Sequence, residues 1–182
     1  MKPFERKKST LIHKGKVITL RNDELYKDGS FLSSKDVVEH NGSIIAVPYE
    51  VINEMVYFYM VKQWRNPVEQ YLLEFPAGTI EKDENPKETL LREMQEEIGM
   101  IPQNVEFSTE LLVAPGWCTE KLYYYIVSGL KKSKLKADLD EEIKIEKLSF
   151  NEVRSKIKSK EITDIKSITA FYLFCENKNQ IN

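Results

Sequence analysis

The chain has 182 residues, 41% of them apolar and 31% charged, with Lys+Arg 27 against Asp+Glu 29 and a net charge of -2. That is the length of one ordinary domain, and a near-neutral balance excludes a general nucleic-acid binder, which needs a basic excess to displace counterions from phosphates. Two cysteines (Cys118, Cys175) and two histidines (His13, His40) exclude a disulfide framework and a His-rich zinc site, and all four read as packing or surface residues.

The apolar run Met55–Val61 falls far short of the roughly 20 residues a membrane span needs. No apolar stretch follows the charges of Met1–Lys8, so a secretory leader is not expected, and a soluble cytoplasmic protein is.

In chain order, the first forty residues read as short strands. Ser9–His13 and Lys16–Arg21 are separated by the turn signal Lys14-Gly15. Phe31–His40 follows Lys27-Asp28-Gly29, and Asn41-Gly42 is a further hairpin signal. This section, 1–42, is predicted to pack on the main body or on a second subunit. The main body, 43–182, opens with strands at Ser43–Pro48 and Glu54–Gln63. In the second, Val56, Phe58 and Met60 alternate with Met55, Tyr57, Tyr59 and Val61, so both faces are apolar and a strand covered on both sides is expected.

A shorter strand is predicted at Tyr71–Pro76, a helix at Asn85–Gly99, and strands at Val105–Ala114, Leu122–Gly129 and Ile143–Leu148. Lys131–Asp140 reads as a loop. Helices are predicted at Phe150–Lys158 and Asp164–Asn177, the latter with Ile165, Ile168, Phe171, Tyr172 and Cys175 as its stripe. Strands with helices on both faces make a mixed α/β (α+β) sandwich.

Asn85–Gly99 carries the clearest chemistry. Asn85 can cap it, Pro86 suits its first position, Glu88 completes a capping box and Gly99 stops it. Leu90, Leu91, Met94 and Ile98 fall on one side. Glu93, Glu96 and Glu97, spaced i, i+3, i+4, fall together on another. Like charges so placed repel. A hard divalent cation relieves that conflict, since Mg²⁺ takes oxygen ligands and bridges to substrate phosphates. The bland alternative is a solvated acidic stripe balanced by Arg92, Lys82 and Lys87.

The surrounding segment decides between them. Gly78, Glu84, Arg92-Glu93-Met94, Glu96-Glu97 and Gly99-Met100 stand at every specified position of G-x5-E-x7-R-E-U-x-E-E-x-G-U, with U a bulky aliphatic. The segment resembles the Nudix box of a family of hydrolases that cleave nucleoside diphosphates linked to another moiety. Glu74-Phe75-Pro76-Ala77-Gly78 resembles the E-x-P-A-G lead-in of its ADP-ribose pyrophosphatase branch. Val61-Lys62-Gln63-Trp64-Arg65 resembles that branch's V-x-Q-aromatic-R, and Ala114-Pro115-Gly116 with Thr119-Glu120 its proline-containing loop.

The resemblance implies an α/β/α sandwich with a mixed sheet, behind a small N-terminal antiparallel β-section exchanged across a homodimer. It implies Mg²⁺ or Mn²⁺ held mainly by Glu93 and Glu97, with the Ala77 carbonyl a further ligand, Glu96 ligating or orienting metal-bound water, Arg92 ordering the glutamates and Glu84 supporting from the loop. A loop glutamate, Glu141 or Glu142, would be the general base. Among substrate-binding candidates, Arg65 binds a phosphate or lies at the surface, and Glu74 meets substrate or makes a structural ion pair. Trp64 and Trp117 stack on a base or sugar, or pack. The expected substrate is ADP-ribose or a related nucleoside diphosphate sugar, giving a nucleoside monophosphate and a sugar phosphate. The alternatives are hydrolysis of dinucleoside polyphosphates or damaged nucleotides, and a silent nucleotide sensor.

Overall fold

The computed structural model describes residues 3–135 and 142–178. By contacts the chain forms two units, Met1–Gly42 with Leu111–Leu122, and Ser43–Glu110 with Tyr123–Asn182. In the first, strands β1 (Glu5–Lys14), β2 (Thr19–Lys27) and β3 (Ser30–Glu39) make an antiparallel sheet in that order. The β2–β3 turn is the one expected: Asp28 (φ 49) and Gly29 (φ 83) both adopt the left-handed region that a two-residue hairpin requires. The second strand was expected earlier, at Lys16–Arg21. Instead Gly15 N–H donates to Ile18 O across 2.8 Å, so Lys16–Ile18 are spent in the turn. Val38 bridges Cys118 in parallel, with Val38 N–H on Trp117 O (2.8 Å) and Thr119 N–H on Val38 O (3.0 Å).

This sheet buries almost nothing apolar. Among the described residues of 1–42, no large apolar side chain is buried, while Leu11, Ile12, Val17, Ile18, Phe31 and Leu32 are exposed. Its buried side chain is Asp23, which accepts from Ser9 Oγ (2.6 Å) and Arg21 Nε (3.0 Å).

The second unit contains β4 (Ser43–Ile52), β5 (Met55–Arg65), a 3-10 turn (Asn66–Val68), β6 (Gln70–Glu74) and β7 (Ala77–Thr79). Next come α1 (Pro86–Glu97), β8 (Met100–Ile101), β9 (Asn104–Leu112) and β10 (Lys121–Ser128). It closes with β11 (Lys131–Lys132), β12 (Ile143–Ser149), α2 (Phe150–Lys158) and α3 (Ile165–Asn177). The mixed sheet has the order β12-β5-β4-β10-β9, with β6 paired to β5 and β7 to β4. The ends of β9 and β10 belong by contacts to the first unit.

Three local expectations need correction. The strand predicted to stop at Pro48 runs on to Ile52, because Asn53 (φ 48) and Glu54 (φ 67) both turn left-handed and close a tight hairpin into β5. The strand expected at Tyr71–Pro76 ends at Glu74, where Pro76 cannot donate to a ladder. Lys131–Lys132, read as loop, pair antiparallel with Met100–Ile101; 136–140 lie outside the described residues.

Side-chain alternation builds the layers. Ile44 and Ala46 of β4, with Val61 of β5, meet Leu90 and Met94 of α1 and Ile98 at its C-terminal cap, together with Tyr125 and Val127 of β10. Complete burial of each such side chain is worth about 1.5–3 kcal/mol. On the opposite face Phe58 meets Phe75, Phe171 and Phe174 edge-on, with centroids 5.5, 6.0 and 4.8 Å away. β5 is covered on both sides as expected, with Phe58, Met60 and Val61 all 0% exposed, and so is β4, with Ile44, Ile45 and Ala46 all 0% exposed; the hairpin ends Val51, Ile52 and Met55 are exposed. The result is the expected sandwich of helices on a mixed sheet. Among the described residues, no helix is long and apolar enough to cross a membrane.

Candidate active site

α1 starts where its sequence says it should. Asn85 Oδ1 accepts from the amides of Lys87 (3.0 Å) and Glu88 (3.1 Å), and Glu88 Oε2 accepts from Asn85 N–H (3.0 Å). With the apolar stripe fastened to β4, the register of the helix is fixed, and the acidic positions are turned toward the 75–84 segment. That segment is fastened too, because β7 pairs antiparallel with β4, Ile44 opposite Gly78 and Ile45 opposite Ala77.

Arg92 gathers the carboxylates. Its Nε and Nη2 donate to Glu84 Oε1 (2.8 Å) and Oε2 (3.0 Å), while Nη1 donates to Glu93 Oε1 (2.7 Å) and Glu96 Oε2 (2.9 Å). Nη2 also reaches Thr79 O at 3.3 Å. Thr89, wholly buried, donates its hydroxyl to Glu84 Oε2 at 2.8 Å, a support that sequence reasoning missed because a threonine on a helix gives no pattern. The hydrogen bonds from Arg92, chiefly, and from Thr89 and the Glu81 amide outweigh burial and hold the Glu84 carboxyl down to about 2. The same partnership with Glu84 raises Arg92 above its ordinary value.

Glu97 goes elsewhere. It is 5% exposed, and its Oε2 accepts from Ala77 N–H at 3.0 Å. Gly78 explains how the loop comes so close: a Cβ there would lie 1.9 Å from the Glu93 carboxyl, so Glu93 occupies the space that any other residue would fill. Among the described residues, no three acidic, His or Cys side chains already converge as a metal site. Glu93 and Glu96 lean on Arg92, and Glu97 on an amide. The donors nonetheless suit a hard divalent cation: they are all oxygen, they outnumber the one guanidinium, and Gly78 leaves Glu93 the room it needs.

The flanking candidates divide. Gln63 and Arg65 follow Val61 by two and four residues in a regular register, so they share the face of β5 that looks toward α1. Gln63 is buried, and its Nε2 has no hydrogen-bond partner among the described residues. Arg65 and Glu74 make the ion pair that was one of their two expected roles: Nε to Oε1 at 2.8 Å and Nη2 to Oε2 at 2.7 Å. Lys166 also binds Glu74 Oε2, and Asp164 at 2.9 Å. Burial pushes the Glu74 carboxyl up, but Arg65 and Lys166 together hold it below its ordinary value. Arg65 is raised, first by its bonds to Glu74 and then by the charges of Glu74, Glu97 and Asp164, which ties it to the box carboxylates. Neither Lys166 nor Asp164 was foreseen, since nothing near them in sequence points to Glu74.

Trp64, by alternation, faces the opposite side of β5 and stacks edge-on on Tyr71 with centroids 5.3 Å apart. Glu142 is exposed and accepts from Tyr71 Oη at 3.4 Å, and Glu141 lies outside the described residues. Trp117 is an exposed residue of the first unit.

Comparison with known proteins agrees with this geometry. Residues 43–171 match the NUDIX domain. The chain is 34% identical over 173 residues to a methanol dehydrogenase activator of Bacillus methanolicus, covering 93% of this chain and 92% of that one. It is 29% identical over 161 residues to an ADP-ribose pyrophosphatase of Bacillus subtilis, covering 87% and 85%. A crystal structure of an ADP compounds hydrolase has a TM-score of 0.83 with 18% identity, covering 100% of this chain and 97% of its own, a likeness of fold. The chain belongs to the Nudix family, as the 78–100 segment implied. Within it, the chain is a hydrolase of the pyrophosphatase class.

Proposed function

We propose that the chain hydrolyses the pyrophosphate bond of ADP-ribose or a related nucleoside diphosphate sugar, releasing a nucleoside monophosphate and a sugar phosphate. The observation that carries this is the set of glutamates arranged by Arg92 and Gly78, flanked by the pair of Arg65 with Glu74 of the E-x-P-A-G lead-in. The Bacillus subtilis relative supports the substrate.

Glu93, Glu96, Glu97 and the Ala77 carbonyl would hold Mg²⁺ or Mn²⁺. The cation supplies neutralisation of diphosphate charge and an acidified water. This chain's own residues do the rest. Arg92 keeps the carboxylates from repelling one another apart. The Ala77 amide fixes Glu97. Arg65 and the free Gln63 amide face the same side and offer cationic and neutral donors to phosphate oxygens. Proton removal falls to Glu142 or Glu141. The exposed apolar residues of the N-terminal sheet support a homodimer that exchanges this section.

A panel of ADP-ribose, GDP-mannose, UDP-glucose, dinucleoside polyphosphates and dNTPs with Mg²⁺, read by product analysis, tests the proposal. Turnover of ADP-ribose or another sugar diphosphate is expected, and turnover of none rejects it. A second reading is favoured by the Bacillus methanolicus relative: this chain activates a dehydrogenase. Adding the purified chain to a methanol dehydrogenase tests that, and an unchanged dehydrogenase rate rejects it.

A further inference from the structure

The buried carboxylate of Glu74 has two cations, although one would neutralise it. Glu74 is 1% exposed, and Arg65 holds it with two parallel bonds while Lys166, from the first turn of α3, holds Oε2 as well. The two cations differ in how they are kept. The Arg65 side chain is 35% exposed. Lys166 is 18% exposed and anchored by Asp164, which also accepts from the Ser167 amide (3.0 Å) and hydroxyl (2.6 Å). Ser167 Oγ in turn accepts from Phe75 N–H at 2.8 Å, next to Glu74 itself. Lys166 is thus part of a braced turn, and Arg65 is the cation with freedom to move.

An isolated buried carboxylate is costly, so Arg65 can leave Glu74 only if another cation stays behind. We propose that Lys166 is a positioning residue for the reaction: it keeps Glu74 neutralised so that the Arg65 guanidinium can swing from Glu74 to a phosphate of the bound nucleoside diphosphate. This rests on the diphosphate reading above. Without Lys166, Arg65 is the sole counterion of a carboxylate that water does not reach, and substrate must compete for it.

The test is a kinetic cycle on the full chain. Lys166→Met is expected to raise KM at least ~10-fold with kcat nearly unchanged, because ground-state capture of phosphate is what suffers. Lys166→Arg is expected to restore most of the loss. In a Glu74→Gln background no charge is left to neutralise, so adding Lys166→Met is expected to leave KM where Glu74→Gln set it. An unchanged KM in Lys166→Met, or an equal rise in the Glu74→Gln background, overturns the proposal.

If Lys166→Met does not fold, Lys166→Gln carries the test. Glutamine is polar and keeps a donor for Glu74 and Asp164 but removes the charge. A raised KM supports the proposal and an unchanged KM overturns it. Should no sugar diphosphate be turned over, the same variants are read by calorimetric binding of ADP. Weaker binding in Lys166→Met supports the role of Lys166 while the substrate reading fails; binding as strong as in the parent chain overturns it, and no binding of ADP by the parent chain overturns both.

Discussion

The backbone amide of Ala77 donates to the carboxylate of Glu97 across 3.0 Å, joining β7 to the last turn of α1. The bond spans the motif from end to end. It holds a carboxylate that water barely touches at the place where the chain approaches the sheet.

Glu97→Gln keeps the shape and one acceptor but removes the charge. It is expected to lower turnover at least ~10²-fold, since a cation ligand that stabilises developing phosphate charge is lost. The drop is read by steady-state kinetics, and weaker Mn²⁺ uptake in calorimetry should accompany it. Full activity in this variant would remove Glu97 from the chemistry.

Gly78→Ala separates site from scaffold. The new methyl would stand 1.9 Å from the Glu93 carboxyl and 2.3 Å from its Cγ, all side-chain atoms, so the Glu93 side chain has to move and the backbone does not. Stability should change by less than about 1 kcal/mol, as for a substitution away from the core. Activity should fall by roughly 10²-fold through the displaced ligand. A variant that unfolds, or one that works normally, contradicts this account of Gly78.

Glu84 makes a prediction about acid. Its carboxyl, depressed from an ordinary 4.5 to about 2, favours the folded state wherever the unfolded group would be ionised. That contribution is complete above pH ~4.5 and lost as pH falls toward ~2, on the order of 2 kcal/mol. Urea unfolding between those limits should show a flatter pH dependence in Glu84→Gln than in the parent chain. Parallel curves would mean that Arg92 does not depress this group.

Gln63 pits stability against function. Its buried Nε2 lacks a partner among the described residues, and a buried unpaired donor costs about 1–3 kcal/mol. Gln63→Met should therefore stabilise the fold by about 1 kcal/mol while raising KM severalfold. A stability loss, or an unaltered KM, would show that the amide is engaged within the fold rather than kept for substrate.

Much of this was legible in the sequence, for reasons that differ by element. α1 and α2 were foreseen nearly to the residue because capping side chains and stripes are local signals, and Asn85 with Glu88 and Ser149 with Glu152 form the boxes at their starts. The glutamate spacing placed Glu93 and Glu96 side by side. It did not tell that Glu97 turns to the Ala77 amide, because that depends on β7 pairing with β4, a partner more than thirty residues away in sequence. The three-residue β7 and the two-residue β8 and β11 are too short to show periodicity. Lys166 carries no signal in the sequence, since its partner Glu74 is 92 positions off. Trp64, one step along the strand from Arg65, lies on the other face of β5 beside Tyr71, a placement that strand alternation makes legible although the partner is not.

The sheet of β1–β3 has ladders and ion pairs but no oily interior of its own, its strands being exposed or half-exposed apart from Asp23. Cut loose as a peptide, such a ribbon would not hold together. In the intact chain its amides should exchange with deuterium before those of β4, and a protease should nick there first.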